Sequence, residues 1–204
     1  MAFTYFFRDM QTLDLIARHV APHISGRSHV EIWDAGCASG QEPYSLAIML
    51  AENMGTFAFR NINIWASDFD GSGIFGKIIE GGVYPCEELS RIPEILLKKY
   101  FTPVGGSGVY VVKDEIRSRV KFIRHDLLSL KPPRESFDMV VCKNVLLHFD
   151  EKVRGEVVRM FHGSLAAGGF LATEQTQKLP PGTSDLFSQV IAECQLYRKV
   201  DRPN

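Results

Sequence analysis

The sequence predicts an α/β fold, a Rossmann-like and mostly parallel sheet with helices on both faces. Two observations carry that expectation. Stretches rich in β-branched and aromatic residues alternate with stretches of helical spacing along the whole chain. The first apolar run, "HVEIWDA", stops at an acid, turns through two glycines and restarts as the helical pattern "EPYSLAIMLAENM".

In order, "HVEIWDA" is the first strand, and "EPYSLAIMLAENM" a helix with Pro43 in its first turn. "NINIWASD" is a second strand ending in an acid, "VKFIRHDLL" a third and "FDMVVCKNV" a fourth. "DEKVRGEVVRMFHGSL" is a helix capped by Asp150, with Val153, Val157, Val158, Phe161 and Leu165 on its apolar side. "GGFLATE" is a fifth strand. The tail "PPGTSDLFSQVIAECQLYRKV" predicts another helix and a last strand at Gln195–Val200. After Asp68, the glycines of "GSGIFGK" are expected to weaken a helix by roughly 1 kcal/mol each relative to alanine. Between the second and third strands lies a different patch, about Gly81 to Arg119, with three prolines, the turn "GGSG" and a short strand "VYVV". It reads as a small inserted subdomain, so the 204 residues are expected to form a single domain with one insertion.

Bulk properties narrow the function classes. A formal net charge of −1 provides no basic field for a nucleic-acid backbone. No apolar run reaches membrane-spanning length, so no membrane insertion is expected. The opening "MAFTYFFRDMQTLD" lacks the basic head and cleavage site of a secretion signal. Cys37, Cys86, Cys142 and Cys194 form no CxxC pair, and they read as reduced thiols of a cytoplasmic protein without disulfides or zinc. His19, His23, His29, His125 and His162 show no metal-ligand spacing.

In an open α/β sheet, ligands gather beyond the carboxyl ends of the strands. Gly36 and Gly40 lie in the first such loop, where a missing Cβ lets a ligand approach the main chain or simply permits a tight turn. Their G-x-x-x-G spacing differs from the G-x-G-x-x-G that cradles a pyrophosphate. Asp34 and Glu42 flank the turn, which disfavours a diphosphate and favours a cationic end such as an amino acid or a sulfonium. Asp68, ending the second strand, is placed to accept hydrogen bonds from a ribose diol. An adenosyl group with an amino-acid tail, S-adenosylmethionine, satisfies both loops. A nicotinamide dehydrogenase disagrees with the spacing and the acids.

The chain resembles the S-adenosylmethionine-binding domain of CheR-type chemotaxis receptor methyltransferases. The resemblance rests on "TYFFRD", "WDAGCASGQEPYSLA", "ASDFD", "GVYP" before "LLKKYF", "VKFIRHDLL" and "FDMVVCKNVLLHFD", in that order. It implies a class I methyltransferase sheet and protein-glutamate O-methylation of chemoreceptor-type helices, with S-adenosylhomocysteine as product. It implies that Thr4 and Arg8 lie at the cofactor's methionine end, that Glu42 faces its amino group and that Asp68 holds the ribose hydroxyls. Asp126, with Leu127, would sit near the adenine, and Asn144 and Val145 beside the cofactor and substrate entry. Because "TYFFRD" stands close to the start, the family's N-terminal helical domain is expected to be absent.

Residue chemistry bears on these roles. Asp126 stands where the family usually has Asn, and a carboxylate also accepts from the adenine amino group. Arg8 offers a planar fork for a carboxylate, or else pairs at the surface with Asp9 or Asp14. A glutamate acceptor is ionised at neutral pH, with an ordinary pKa of about 4.3, so alignment matters more than a base. His148 replaces the family's Tyr, and imidazole donates a hydrogen bond or serves as a base for a less acidic acceptor; alternatively it has no catalytic duty. Lys143 replaces Arg, Gln41 replaces the first acid of G-E-E-P, and "TEQTQ" replaces G-H-S-E. "GGSGVYVV" suits a hairpin edge for a peptide strand, or a short cover over the sheet. Three readings follow: glutamate methylation, methylation of another protein or small molecule, and a non-catalytic module that binds S-adenosylmethionine or S-adenosylhomocysteine.

Overall fold

The computed structural model describes residues 4–106, 108–176 and 178–201. Ahead of the first strand stands a helix, α1 (Met10–Ile24). Leu13, Ile16, Ala17, Val20 and Ile24 recur on one face and are buried, an apolar stripe of helical period. There follow β1 (Val30–Ala35), α2 (Gln41–Phe59), β2 (Ile62–Asp68) and α3 (Phe75–Gly81). The patch expected as an insertion contains β3 (Val83–Pro85), α4 (Glu94–Tyr100), β4 (Phe101–Val104), β5 (Val109–Val112) and α5 (Asp114–Arg117). The chain continues through β6 (Val120–Arg124), β7 (Phe137–Cys142), α6 (Glu151–Ser164), β8 (Leu165–Thr173), β9 (Phe187–Gln189) and β10 (Leu196–Lys199).

The main sheet has seven strands in the order β6-β2-β1-β7-β8-β10-β9. β6, β2, β1, β7 and β8 are parallel, and β10 is antiparallel to both of its neighbours. From β1 the chain builds outward to β6, then crosses back to β7 on the other side of β1. This is the Rossmann-like class I methyltransferase sheet, and its order reverses between β1 and β7, where a ligand crevice opens.

Strand alternation sorts the core onto two faces. Ile32, Ile64, Met139 and Val141 pack with α1, α2 and the small sheet. Trp33, Val140, Cys142 and Leu171 face the other way, onto Val157, Val158 and Phe161 of α6. The small sheet is not a separate core: Tyr84, Phe101 and Val112 belong to the same buried cluster as Ile32 and Ile64.

Three expectations are corrected. The tail forms no helix before its last strand; a single 3₁₀ turn (Ser184–Leu186) leads into β9. Gly182 adopts φ 73° after two prolines, and Phe187 is buried against Tyr197 while Ser188 and Gln189 are exposed on this outermost strand. "VYVV" is no edge: β5 is the central strand of the three-stranded order β3-β5-β4, which leaves β3 and β4 outermost. Position 107 of the adjoining turn and position 177 of "TEQTQ" lie outside the described residues. Gly71 and Gly73 precede α3, so only Gly76 sits inside the weakened stretch, and there a Cβ would crowd the Phe122 ring at 2.8 Å. Among the described residues, no helix is long and apolar enough to cross a membrane.

Candidate cofactor and methyl-transfer cleft

The carboxyl ends of β1, β2 and β7 open into two joined cavities. The first, about 460 Å³, is lined by Thr4, Arg8, Gly36, Glu42, Asp68, Asn144, Val145 and His148 among others. The second, about 360 Å³ and more apolar, adds Phe69, His125, Asp126, Leu127, Leu128 and Phe149. Gly36, Asp68 and Val145 line both, so the two make one continuous cleft.

Each wall has a local cause. Residues 4–9 are folded back over the cleft because Phe6 is fully buried, edge-on to Tyr84 at 4.9 Å and to Phe101 at 5.5 Å. The Phe7 amide donates to Ser45 Oγ at 2.8 Å, and Phe7 and Asp9 take left-handed φ of 55° and 56°. This anchoring presents Thr4 and Arg8 to the first cavity. The turn after β1 is tied down by the Gly36 and Cys37 amides, which donate to the Ser67 carbonyl at 2.7 and 3.0 Å.

Both turn glycines have φ 98°, a conformation that glycine adopts without strain. A Cβ on Gly36 would overlap Val145 Cγ2, and Gly36 lines the cleft. Gly40 lines neither cavity; its Cβ would lie 2.6 Å from Ile79 Cγ1 and 2.7 Å from Tyr84 Oη. The close approach at Gly40 is therefore to the protein's own packing.

The acids differ in what already holds them. Asp68 Oδ2 accepts from the Ala38 amide at 3.0 Å and Oδ1 from the Asp70 amide at 3.1 Å. A carboxylate oxygen has a second lone pair, so both oxygens keep acceptor capacity toward the cleft. Asp126 follows β6 by two residues and is exposed; its Oδ1 accepts from the Leu128 amide at 2.9 Å, capping a 3₁₀ turn. Glu42 sits in the first turn of α2, its Oε2 3.7 Å from Lys143 Nζ. Its Oε1 is buried without a hydrogen-bond partner among the described residues. Burial raises the Glu42 carboxyl above its ordinary range, and Lys143 and Arg8 oppose that shift.

Lys143 was noted in the sequence only as a replacement. Its side chain is 1% exposed, and Nζ lies 3.7 Å from Asp9 Oδ2 and 3.4 Å from the Arg8 carbonyl, besides Glu42. It thereby ties the N-terminal segment to α2. Asn144 takes φ 59°, the left-handed region that Asn tolerates better than most residues, and this turns the chain out of β7 into the 3₁₀ turn Leu146–His148. His148 is exposed on that turn and lines the first cavity. Phe69 (60% exposed), Ala38 and His125 also line the cleft without having been singled out. A large aromatic directly after the Asp68 strand end was the available signal for Phe69; His125 gave none.

The residues fit a cationic, adenosine-bearing ligand. Glu42 Oε1 is a buried acceptor that lacks a donor, the Asp68 oxygens remain open to a diol, and the second cavity offers apolar walls with the Asp126 carboxylate at its edge.

Comparison with known proteins agrees with this geometry. The family model described as "CheR methyltransferase, SAM binding domain" matches residues 2–195. "Chemotaxis protein methyltransferase 1" of Pseudomonas aeruginosa is 35% identical over 189 residues, covering 87% of this chain and 67% of that protein. "Chemotaxis protein methyltransferase" of Listeria innocua is 33% identical over 168 residues, covering 81% of this chain and 61% of that protein. The Borreliella burgdorferi protein of the same name is 32% identical over 177 residues, covering 82% and 61%. The chain thus spans 61–67% of the length of these relatives. With a class I sheet, an acid-lined glycine turn and a family match over nearly its whole length, the chain belongs to the CheR methyltransferase family, as its S-adenosylmethionine-binding domain.

Proposed function

We propose that this chain transfers a methyl group from S-adenosylmethionine to a glutamate carboxylate of a protein, with chemoreceptor-type helices as the acceptor class. The observation that carries this reading is the buried, donorless Glu42 Oε1 in the same cleft as Asp68, one acid for an ammonium and one for a diol. The insertion at about 81–119 and the rest of the chain act as one unit, since they share a core.

S-adenosylmethionine, when bound, supplies an electrophilic methyl group on a sulfonium. Glu42 accepts from the ammonium, and Lys143 and Arg8 limit the cost of keeping it ionised. Arg8 and Thr4 orient the carboxylate of the methionine end. Asp68, itself fixed by two backbone amides, holds the ribose hydroxyls. Asp126 accepts from the adenine amino group, and Leu127 wall-packs the ring. Asn144 and Val145 shape the passage between cofactor and acceptor, while Leu147 and Val145 displace water from it. His148 stands at the rim on the same cavity as Arg8, where it donates a hydrogen bond to the incoming carboxylate. The acceptor is already ionised, so the residues contribute alignment rather than proton abstraction.

Calorimetry with S-adenosylhomocysteine tests the cofactor assignment. Binding is expected, with Asp68→Ala losing at least about tenfold in affinity, the scale of a charge-assisted hydrogen bond. Binding of NADH in its place would end the reading. Labelled cofactor with receptor signalling fragments tests the acceptor: base-labile label on glutamate is expected. Label appearing only on another acceptor would favour the second reading, motivated by His148 at the rim.

A further inference from the structure

Asp34, near the end of β1, has no task in the reaction just described. It is 0% exposed, and neither carboxyl oxygen has a hydrogen-bond partner among the described residues. It stands two residues before Gly36, whose main chain lines both cavities. The charged and titratable groups that bear on it come from every surrounding wall: Glu42 on α2, Asp68 at the end of β2, Cys142 on β7, Lys143 just after it, and Cys37 in the turn itself. Lys143 is the one cation in this group, and its ammonium is shared between Glu42 and Asp9, each at 3.7 Å.

An ionised carboxylate enclosed without donors is costly, and the ordinary outcome is that it keeps its proton. Burial, then the neighbouring Glu42, pushes the Asp34 carboxyl well above its usual range, with Lys143 opposing and Asp68 adding to the shift. Of the two acids, Asp34 has no donor at either oxygen, whereas Glu42 Oε2 keeps Lys143 at 3.7 Å. Lys143 is within ion-pair distance of Glu42 and Asp9, so an ionised Asp34 would add a further buried negative charge with no paired cation of its own. A new positive charge in the cleft alters that balance.

We propose that Asp34 is a charge-reading specificity residue: a ligand carrying a sulfonium beside the Gly36 turn drives a proton off Asp34 into solvent, whereas the neutral thioether counterpart leaves it in place. The inference rests on the cleft being the S-adenosylmethionine site. S-adenosylmethionine and S-adenosylhomocysteine differ by one methyl group and one positive charge. Proton release on binding the first and not the second makes their affinity ratio rise with pH, favouring methyl donor over spent product in neutral to alkaline solution.

The test is calorimetry on the full chain with both ligands at several pH values from 6 to 8, in phosphate and in Tris, whose ionisation enthalpies differ. S-adenosylmethionine is expected to release up to about one proton more than S-adenosylhomocysteine, with the affinity ratio rising by up to about tenfold per pH unit. Asp34→Asn is expected to bind both ligands with equal proton counts and a flat ratio. Equal proton release by the wild-type protein, or an excess that survives in Asp34→Asn, overturns the inference while leaving the cofactor site intact. Binding of neither ligand by the wild-type protein overturns the cofactor site, and the inference with it. Asp34→Ser, checked for folding by its thermal melt, provides the same comparison if the Asn variant fails to fold.

Discussion

At the scale of single residues, the cleft is shaped by what each side chain leaves unsatisfied or excludes. Gly36 is the sharpest case, because it combines φ 98° with a hypothetical Cβ that overlaps Val145. Gly36→Ala is expected to displace the turn and Val145 together, lowering affinity for S-adenosylhomocysteine at least about tenfold, with a strain cost of roughly 1–3 kcal/mol in the thermal melt. An unchanged affinity would mean that ligand and turn do not meet there. Gly40 was expected to serve the ligand in the same way, yet its neighbours are Ile79 and Tyr84. Two glycines in one turn can thus answer to different masters, one to a cleft and one to a core. Phe6 shows the reverse relation, a core residue with a functional consequence. Phe6→Ala is expected to cost about 3–5 kcal/mol and to loosen Thr4 and Arg8 from the cleft. Proteolysis or hydrogen exchange of residues 4–9, measured beside ligand affinity, checks this.

At the scale of elements, the termini of helices and strands deliver the chemistry. α2 presents Glu42 from its first turn, where an acid also complements the helix dipole. β2 ends in Asp68 and β7 runs on into Lys143–Asn144, on opposite sides of β1. The Leu146–His148 turn leads into α6 and buries Leu146 in the same cluster as Val157 and Val158, and the first turn of α6 is closed by Asp150 accepting from the Val153 amide at 2.9 Å. Asp150→Ala is expected to cost about 1 kcal/mol of stability, read from chemical denaturation, with cofactor affinity little changed. The same element logic explains the tail: Pro180, Pro181 and Gly182 interrupt any helix, and the remaining residues pair at the sheet edge.

At the scale of the whole molecule, the cleft concentrates carboxyl groups in low dielectric, and this couples stability to pH. Asp34 is raised by burial, so between its unfolded value of about 3.9 and its higher folded value the native state binds more protons than the unfolded one. Stability from this group is therefore complete below the unfolded value and is lost as pH rises toward the folded one. Relative to wild type, Asp34→Asn without ligand is expected to melt at a temperature that gains as pH rises from 4 to 7. A melting difference independent of pH would show Asp34 to be ionised throughout. Because Phe6, Tyr84, Ile32 and Ile64 share one buried cluster, the small sheet and the cleft's N-terminal wall are expected to melt with the main sheet, in a single transition by calorimetry.

The alternation of strand and helix, the acid-flanked glycine turn and the order of short motifs were readable in the chain itself, because local periodicity and turn chemistry are properties of neighbouring residues. They determined the α/β class, the family and most of the cleft: Glu42, Asp68, Asp126, Asn144 and Val145 all reach it. What the chain alone did not show depends on residues distant in sequence. Lys143 becomes the tie between Asp9 and Glu42 only when β7 is laid beside β1. β5 becomes central rather than outermost only through its pairing with β3. Asp34 looked like one of two acids beside a turn; enclosure by α2, β2 and β7 is what strips it of donors. Burial and partner choice are set by packing across the sheet, and packing is where tertiary structure had the final say.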